Sequence, residues 1–136
     1  MSKGTVLIVE DSQDVRNVMA EIVSLFGYDV SVAGDGLEAW HKLASFSYDL
    51  IITDMGMPKM GGEDLVRNMR QGGIDTPVIL IAGIDIQKGK FGGDTLTNCR
   101  FVQKPFTIED IKQTISGLLK TDNRYEKRKK AKKLNR

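Results

Sequence analysis

Leu50-Ile-Ile-Thr-Asp-Met-Gly-Met-Pro58 opens on an apolar run, ends that run on an acid, and breaks the chain at once with glycine and proline. A short run that is apolar at consecutive rather than alternate positions fits a strand covered on both faces, as in a parallel sheet flanked by helices. Working outward, comparable runs lie at Thr5–Val9 and Asp29–Ala33 before it, and at Pro77–Ala82 and Arg100–Lys104 after it. Val6–Val9 and Val78–Ala82 share its uninterrupted apolar character. Longer amphipathic segments separate the runs, and strands alternating with helical patterns indicate βαβ units. The expected fold is α/β, a doubly wound sheet of five parallel strands.

The helices are read from periodicity and caps. Asp14–Phe26 puts Val15, Val18, Met19, Ile22 and Leu25/Phe26 on one stripe, and Gly27 stands where a left-handed C-cap is wanted. Asp35-Gly-Leu-Glu38 and Thr107-Ile-Glu-Asp110 have the spacing of capping boxes, so two helices are expected to begin there. The second of these carries Ile108, Ile111, Ile115 and Leu118/Leu119 on one face. Gly62–Gln71, with Leu65, Val66 and Met69, is a shorter helix stopped by Gly72-Gly73. In the fourth connection Gly83, Gly89, Gly92 and Gly93 crowd together, and each glycine inside a helix costs about 1 kcal/mol relative to alanine. Only a short, late or irregular helix is expected within Asp85–Asn98.

At 136 residues, 40% hydrophobic and 28% charged with 3 Pro, the composition excludes disorder over the whole length and leaves room for one folded domain. That domain is assigned to residues 1–120. No apolar stretch approaches the ~20 residues that cross a bilayer, and Met1 to Gly4 has no export leader. Cys99 is the only cysteine, so no internal disulfide forms; the expected location is the cytoplasm. Residues 1–120 carry 12 Lys/Arg against 16 Asp/Glu, a net −4, and residues 121–136 carry 8 against 2, a net +6. The acidic domain thus ends in a basic extension.

Ligands of open parallel sheets bind outside the carboxyl ends of the strands. Here Glu10 and Asp11 follow the first strand, Asp54 ends the third, and Lys104-Pro105 ends the fifth. Taken singly, an Asp after a strand is ordinarily a helix cap or a turn former, and Lys-Pro a loop. Taken together, three acids and a lysine at one end of a sheet need another explanation, because like charges raise one another's pKa unless a cation compensates. An all-oxygen ligand set with open positions suits Mg²⁺.

These residues carry a resemblance. Val-Glu10-Asp11-Ser, Thr-Asp54-Met-Gly-Met-Pro58 followed by Gly62, and Gln-Lys104-Pro105-Phe106 resemble the motifs of response-regulator receiver domains of two-component signalling systems, the CheY-like group, over residues 4–120. The resemblance implies a flavodoxin-like strand order 2-1-3-4-5 and an Asp54 that takes a phosphoryl group from a sensor histidine kinase or a phosphotransfer protein. It also implies Mg²⁺ held by Glu10, Asp11, Asp54 and the carbonyl of Gly56. Lys104 would then face the phosphoryl oxygens across a cis bond to Pro105. One substitution departs from the pattern: receivers usually end the fourth strand in Ser or Thr, whose hydroxyl couples the phosphoryl group to an aromatic on strand 5. Here those switch positions hold Ala82 and Phe101, which puts conventional switching in doubt.

The functional reading is a stand-alone receiver that signals through a downstream protein target, with no external turnover substrate. The alternative is a pseudo-receiver, an adaptor binding partners with weak or no phosphorylation-dependent switching. A haloacid-dehalogenase-like phosphatase is disfavoured because it needs a second Asp where Gly56 stands, and a flavodoxin-like cofactor site because Glu10-Asp11 would repel a phosphate. His41, inside the second helix, and the neighbouring Trp40 read as surface and packing residues; Met55, Met57 and Met60 read as gap fillers. The basic extension reads either as solvated charge or as a binding segment, and for the latter an acidic protein surface or nonspecific electrostatics is favoured over sequence-specific DNA or a membrane, since only Tyr125 supplies an aromatic and no apolar stripe accompanies the charge.

Overall fold

Five parallel strands lie side by side in the order β2-β1-β3-β4-β5, where β1 is Thr5–Val9, β2 Asp29–Ala33, β3 Leu50–Asp54, β4 Val78–Ala82 and β5 Cys99–Gln103. The computed structural model describes residues 2–83 and 97–121. Within them four helices connect or follow the strands: α1 Gln13–Leu25, α2 Gly36–Ser45, α3 Gly62–Gln71 and α4 Ile108–Thr121. The helix expected within Asp85–Asn98 lies mostly outside the described residues, as does the basic extension from residue 122 onward.

The pleat of the strands divides the core in two. Val6, Ile8, Leu50, Ile52, Ile79 and Ile81 point to one face and pack with Met19 and Val23 of α1 and Ile111, Ile115, Leu118 and Leu119 of α4. Leu7, Val9, Ile51, Val78 and Leu80 point to the other and pack with Ala39 of α2 and Leu65, Val66 and Met69 of α3. This explains why the central strands are apolar at every position. Fully burying one such side chain is worth about 1.5–3 kcal/mol, against at most about 1 kcal/mol for an exposed ion pair, so it is packing that fixes β3 and the Asp54 at its end.

Where boundaries and faces differ from expectation, backbone chemistry and geometry explain it. The fourth strand begins at Val78, not Pro77: Pro77 has no N–H to give the ladder, although its carbonyl still accepts from Ile51 N–H at 3.0 Å. The fifth runs from Cys99 to Gln103, not from Arg100 to Lys104, yet Lys104 N–H still donates to the Ala82 carbonyl at 2.8 Å. On α1 the expected stripe is too wide. Met19 and Val23 meet the sheet, whereas Val15, Val18 and Leu25 are 42%, 55% and 82% exposed, because the apolar arc of the helix exceeds what one sheet face covers. Ile108 is likewise exposed, standing at the first position of α4 ahead of the turn that meets the sheet.

The caps follow the sequence closely. Thr107 and Asp110 form the reciprocal box, with Asp110 N–H donating to Thr107 Oγ1 at 3.0 Å and Thr107 N–H to Asp110 Oδ2 at 2.9 Å. Asp35 caps α2 through Glu38 N–H at 2.8 Å, but the Glu38 carboxylate reaches one residue further, to Gly34 N–H at 2.7 Å. Gly27 adopts φ 101°, the left-handed conformation expected after α1. At the far end of the sheet, the Arg70 guanidinium donates to the carbonyls of Ile74 (2.8 Å) and Thr97 (3.0 Å), and Asn98 donates to the Asp75 carbonyl at 3.0 Å, which ties the start of β5 to the end of α3.

Candidate functional site

All five strands run the same way, so their carboxyl ends share one edge. Val9 is in register with Ala33 and Thr53, and Asp54 with Ile81, so whatever follows β1 and ends β3 is neighbouring by construction. The site is assembled there. Oxygen atoms of Glu10, Asp11 and Asp54 all lie within 4.8 Å of one another. Lys104 Nζ stands 3.5 Å from Asp54 Oδ1, its side chain 44% exposed and that of Asp54 12%. The Lys104–Pro105 peptide is cis.

The three acids differ in surroundings. Glu10 is buried at 8% exposure and Asp11 is open to solvent. Burial pushes the Glu10 carboxyl above the usual carboxylate range; the charge of Asp54 and a hydrogen bond with Asp11 push the same way, while the Ser12 N–H and the charge of Lys104 oppose. At Glu10, burial and the neighbouring acids therefore outweigh the groups that favour its charge. A hard, oxygen-seeking divalent cation would reverse that balance, and the donor set, three carboxylates with one of them facing water, fits Mg²⁺. Gly56 is exposed, and a Cβ there would meet nothing within 4 Å. Its carbonyl belongs to the loop directly beyond Asp54.

That loop is fastened at several points. Met55 N–H donates to the Ile81 carbonyl at 3.1 Å and Gly62 N–H to the Met55 carbonyl at 3.2 Å. Gly36 N–H, at the start of α2, donates to the Met60 carbonyl at 3.1 Å. A Cβ on Gly36 would lie 2.1 Å from that oxygen, so the two segments touch only because residue 36 has no side chain. Lys59 takes a left-handed φ of 67° and pairs with Asp35 at 3.6 Å. Met55 is buried, and Met57 and Met60 pack against the same core face, in keeping with gap filling.

The two switch positions sit near the same edge. Ala82 is buried at 2% exposure, and Phe101, opposite Leu80, packs against the same cluster as Ala82. Beside the acids, a cavity of about 390 Å³ opens between α1 and the β5–α4 loop, lined by Val15, Met19, Lys104 and Phe106 among others. His41 is exposed on α2 and Trp40 packs against the core, both apart from the acid cluster.

Sequence reading missed the residues that hold the site in place. Ser12 caps α1 and donates its N–H to Glu10 Oε1 at 3.1 Å. Arg16 Nη1 donates to the Glu10 carbonyl at 2.9 Å. Lys59 and Asp35 latch the loop. The available signal was spacing: Arg16 lies one turn into α1, close enough to bend back over the β1–α1 loop.

Comparison with known proteins agrees with this geometry. A family model for the response regulator receiver domain matches residues 6–116. Curated relatives include an uncharacterized transcriptional regulatory protein of Bacillus subtilis, YkoG, 32% identical over 120 residues (88% of this chain, 53% of the relative), and the response regulator MprA of Mycobacterium avium, 30% identical over 115 residues (85% and 50%). The chain spans about half the length of these relatives. Among solved structures, the chemotaxis response regulator CheY4 of Vibrio cholerae superposes with a TM-score of 0.75 at 29% identity, covering 87% of this chain and 98% of that one. A signal receiver domain of a histidine kinase from Syntrophus aciditrophicus gives 0.77 at 30% identity, covering 89% and 93%.

Proposed function

From the premise that this chain belongs to the response regulator receiver family, we propose that it acts as a stand-alone receiver, phosphorylated on Asp54 in a Mg²⁺-dependent reaction and signalling through protein contacts. The observation that carries this reading is the meeting of Glu10, Asp11 and Asp54 within 4.8 Å, with Lys104 3.5 Å from Asp54. The phosphoryl donor is the phosphohistidine of a sensor kinase or phosphotransfer protein. A carboxylate oxygen of Asp54 forms the O–P bond as the P–N bond breaks, and the imidazole leaves with the electron pair and takes up a proton. Lys104 offsets charge on the phosphoryl oxygens. Glu10 and Asp11, with Asp54 and the Gly56 carbonyl, would hold the metal, which when bound supplies a further positive charge at the same oxygens. The chain is phosphorylated and later loses that group, so no external substrate is turned over. Among the described residues no helix is long and apolar enough to cross a membrane, and cytoplasmic action is part of the proposal.

The test is direct. Incubated with acetyl phosphate and Mg²⁺, the intact protein should gain the mass of one phosphoryl group, and gain none when EDTA replaces Mg²⁺. A chain that stays unmodified under both conditions, and equally with a histidine-phosphorylated donor protein, refutes the reading.

Ala82 favours a second reading of how the signal leaves the site. With a methyl group at a position buried to 2% exposure, no side-chain hydroxyl links the site to Phe101 across β4 and β5. A phosphoryl group biases a two-state element only through contacts that differ between its states. On adding beryllofluoride and Mg²⁺, amide shifts should cluster around Asp54 in the native chain and extend to Phe101 in Ala82→Thr. Equally wide shifts in both proteins would show that the missing hydroxyl is immaterial.

A further inference from the structure

Glu10 and Asp11 are adjacent in sequence, so the plane of the peptide between them sets the directions in which the two carboxylates leave the chain. One end of that plane is the Glu10 carbonyl, and Arg16 Nη1 donates to it at 2.9 Å. The backbone behind it is fixed by Glu10 N–H donating to the Ala33 carbonyl at 3.1 Å, and the side chain ahead of it by Ser12 N–H on Oε1 at 3.1 Å. Arg16 lies beside the β2–α2 turn: the place a Cβ on Gly34 would take is 3.3 Å from both its Nη1 and Glu38 Oε2, and Glu38 Oε2 accepts from Gly34 N–H. The guanidinium thus sits on the backbone side of the acid pair, while Lys104 is the cation that faces Asp54.

We propose that Arg16 is a positioning residue for divalent-cation binding, holding the Glu10–Asp11 peptide plane so that both carboxylates converge on Asp54. The inference rests on the metal-binding reading given under Proposed function. Groups that orient metal ligands from outside the coordination sphere typically alter affinity by 10–100-fold when removed. Without its donor, the part-buried Glu10 carbonyl loses its partner, the peptide can rotate, and the two acids reach the cation only at an entropic cost.

The sign of the effect separates this role from a charge effect. A cation close to the site repels Mg²⁺, so if Arg16 acted only through its charge, removing it would tighten binding.

The experiment is calorimetric titration of the metal-free full-length chain with Mg²⁺ alone, for the native protein, Arg16→Met and Arg16→Lys, with thermal unfolding of each in EDTA. Arg16→Met, which keeps the aliphatic packing but no donor, should bind Mg²⁺ roughly tenfold more weakly. Arg16→Lys, which keeps a donor near the carbonyl, should recover most of that loss; if Arg16→Met does not fold, Arg16→Gln, whose shorter neutral side chain stops short of the carbonyl, takes its place with the same expected loss. Tighter binding in Arg16→Met overturns the proposal in favour of charge, and unchanged affinity with a lowered melting temperature overturns it in favour of a fold staple. If the native chain takes up no Mg²⁺, the metal-binding reading falls and this inference with it. Native binding left unaltered by both substitutions sinks this inference alone.

Discussion

Asp54→Asn is expected to gain no phosphoryl mass from acetyl phosphate under conditions that modify the native chain, a loss to the detection limit of intact-mass measurement. The amide keeps the shape of the side chain but has no anionic oxygen to attack phosphorus, and neither Glu10, which is buried, nor Asp11, open to solvent, ends a strand beside Lys104. An adduct of native yield in this variant would move the acceptor elsewhere. The same substitution should stabilise the metal-free protein, because it removes repulsion with two acids at the cost of one pairing with a half-exposed lysine, a net gain on the order of 1 kcal/mol. It should also change the response to pH. Because the Glu10 carboxyl is pushed up in the folded state, the folded chain binds that proton more tightly than the unfolded one. Metal-free native protein therefore gains stability as pH falls from neutral through the raised value toward the ordinary 4.5. Asp54→Asn, lacking one of the charges responsible, should gain less, and urea midpoints across that window read the difference.

Gly36→Ala is the substitution expected to cost the fold most for the least change in chemistry. One methyl group there would lie 2.1 Å from the Met60 carbonyl oxygen and 2.8 Å from its carbon, both backbone atoms, so no rotamer change relieves the clash. Overpacking typically costs 1–3 kcal/mol, and a rigid backbone neighbour puts this case near the upper end, about 3 kcal/mol. The loop running from Met55 to Gly61 must shift, and the phosphorylation rate should fall with stability. Gly117→Ala supplies the contrast, since nothing lies within 4 Å of a Cβ at that position inside α4, and helix propensity alone should stabilise it by about 0.5–1 kcal/mol. Urea midpoints for the two variants that move together would contradict both estimates.

Legibility in the sequence followed the range of the interactions involved. β1, β2, β3 and α3 were readable to the residue because their signals are local: runs bounded by turn formers, and a helix between glycine pairs. The acids and Lys104 were readable because parallel strands bring their ends to one edge whatever the details of packing. The exposed flank of α1 was not, since a hydrophobic stripe records what can be buried and not how much a sheet covers. Nor were Arg16, Ser12 and the Lys59–Asp35 pair: an arginine side chain reaching back to a carbonyl six positions earlier leaves no periodic trace. The Gly36–Met60 contact is longer in range still, and only the lack of a side chain at residue 36 hinted at it.

The two-faced core has a consequence for time rather than for shape. β1, β3 and β4 are sealed on both sides, whereas β2 and β5 form the margins of the sheet and are only partly covered. Amide protons in the middle strands exchange with solvent only when most of the molecule opens, while those at the margins exchange through smaller, more frequent openings. Asp54 ends one of the sealed strands, and Lys104 follows a marginal one. The acid at the heart of the site is therefore expected to outlast openings that free its lysine partner, with amide exchange slower along β3 than along β5.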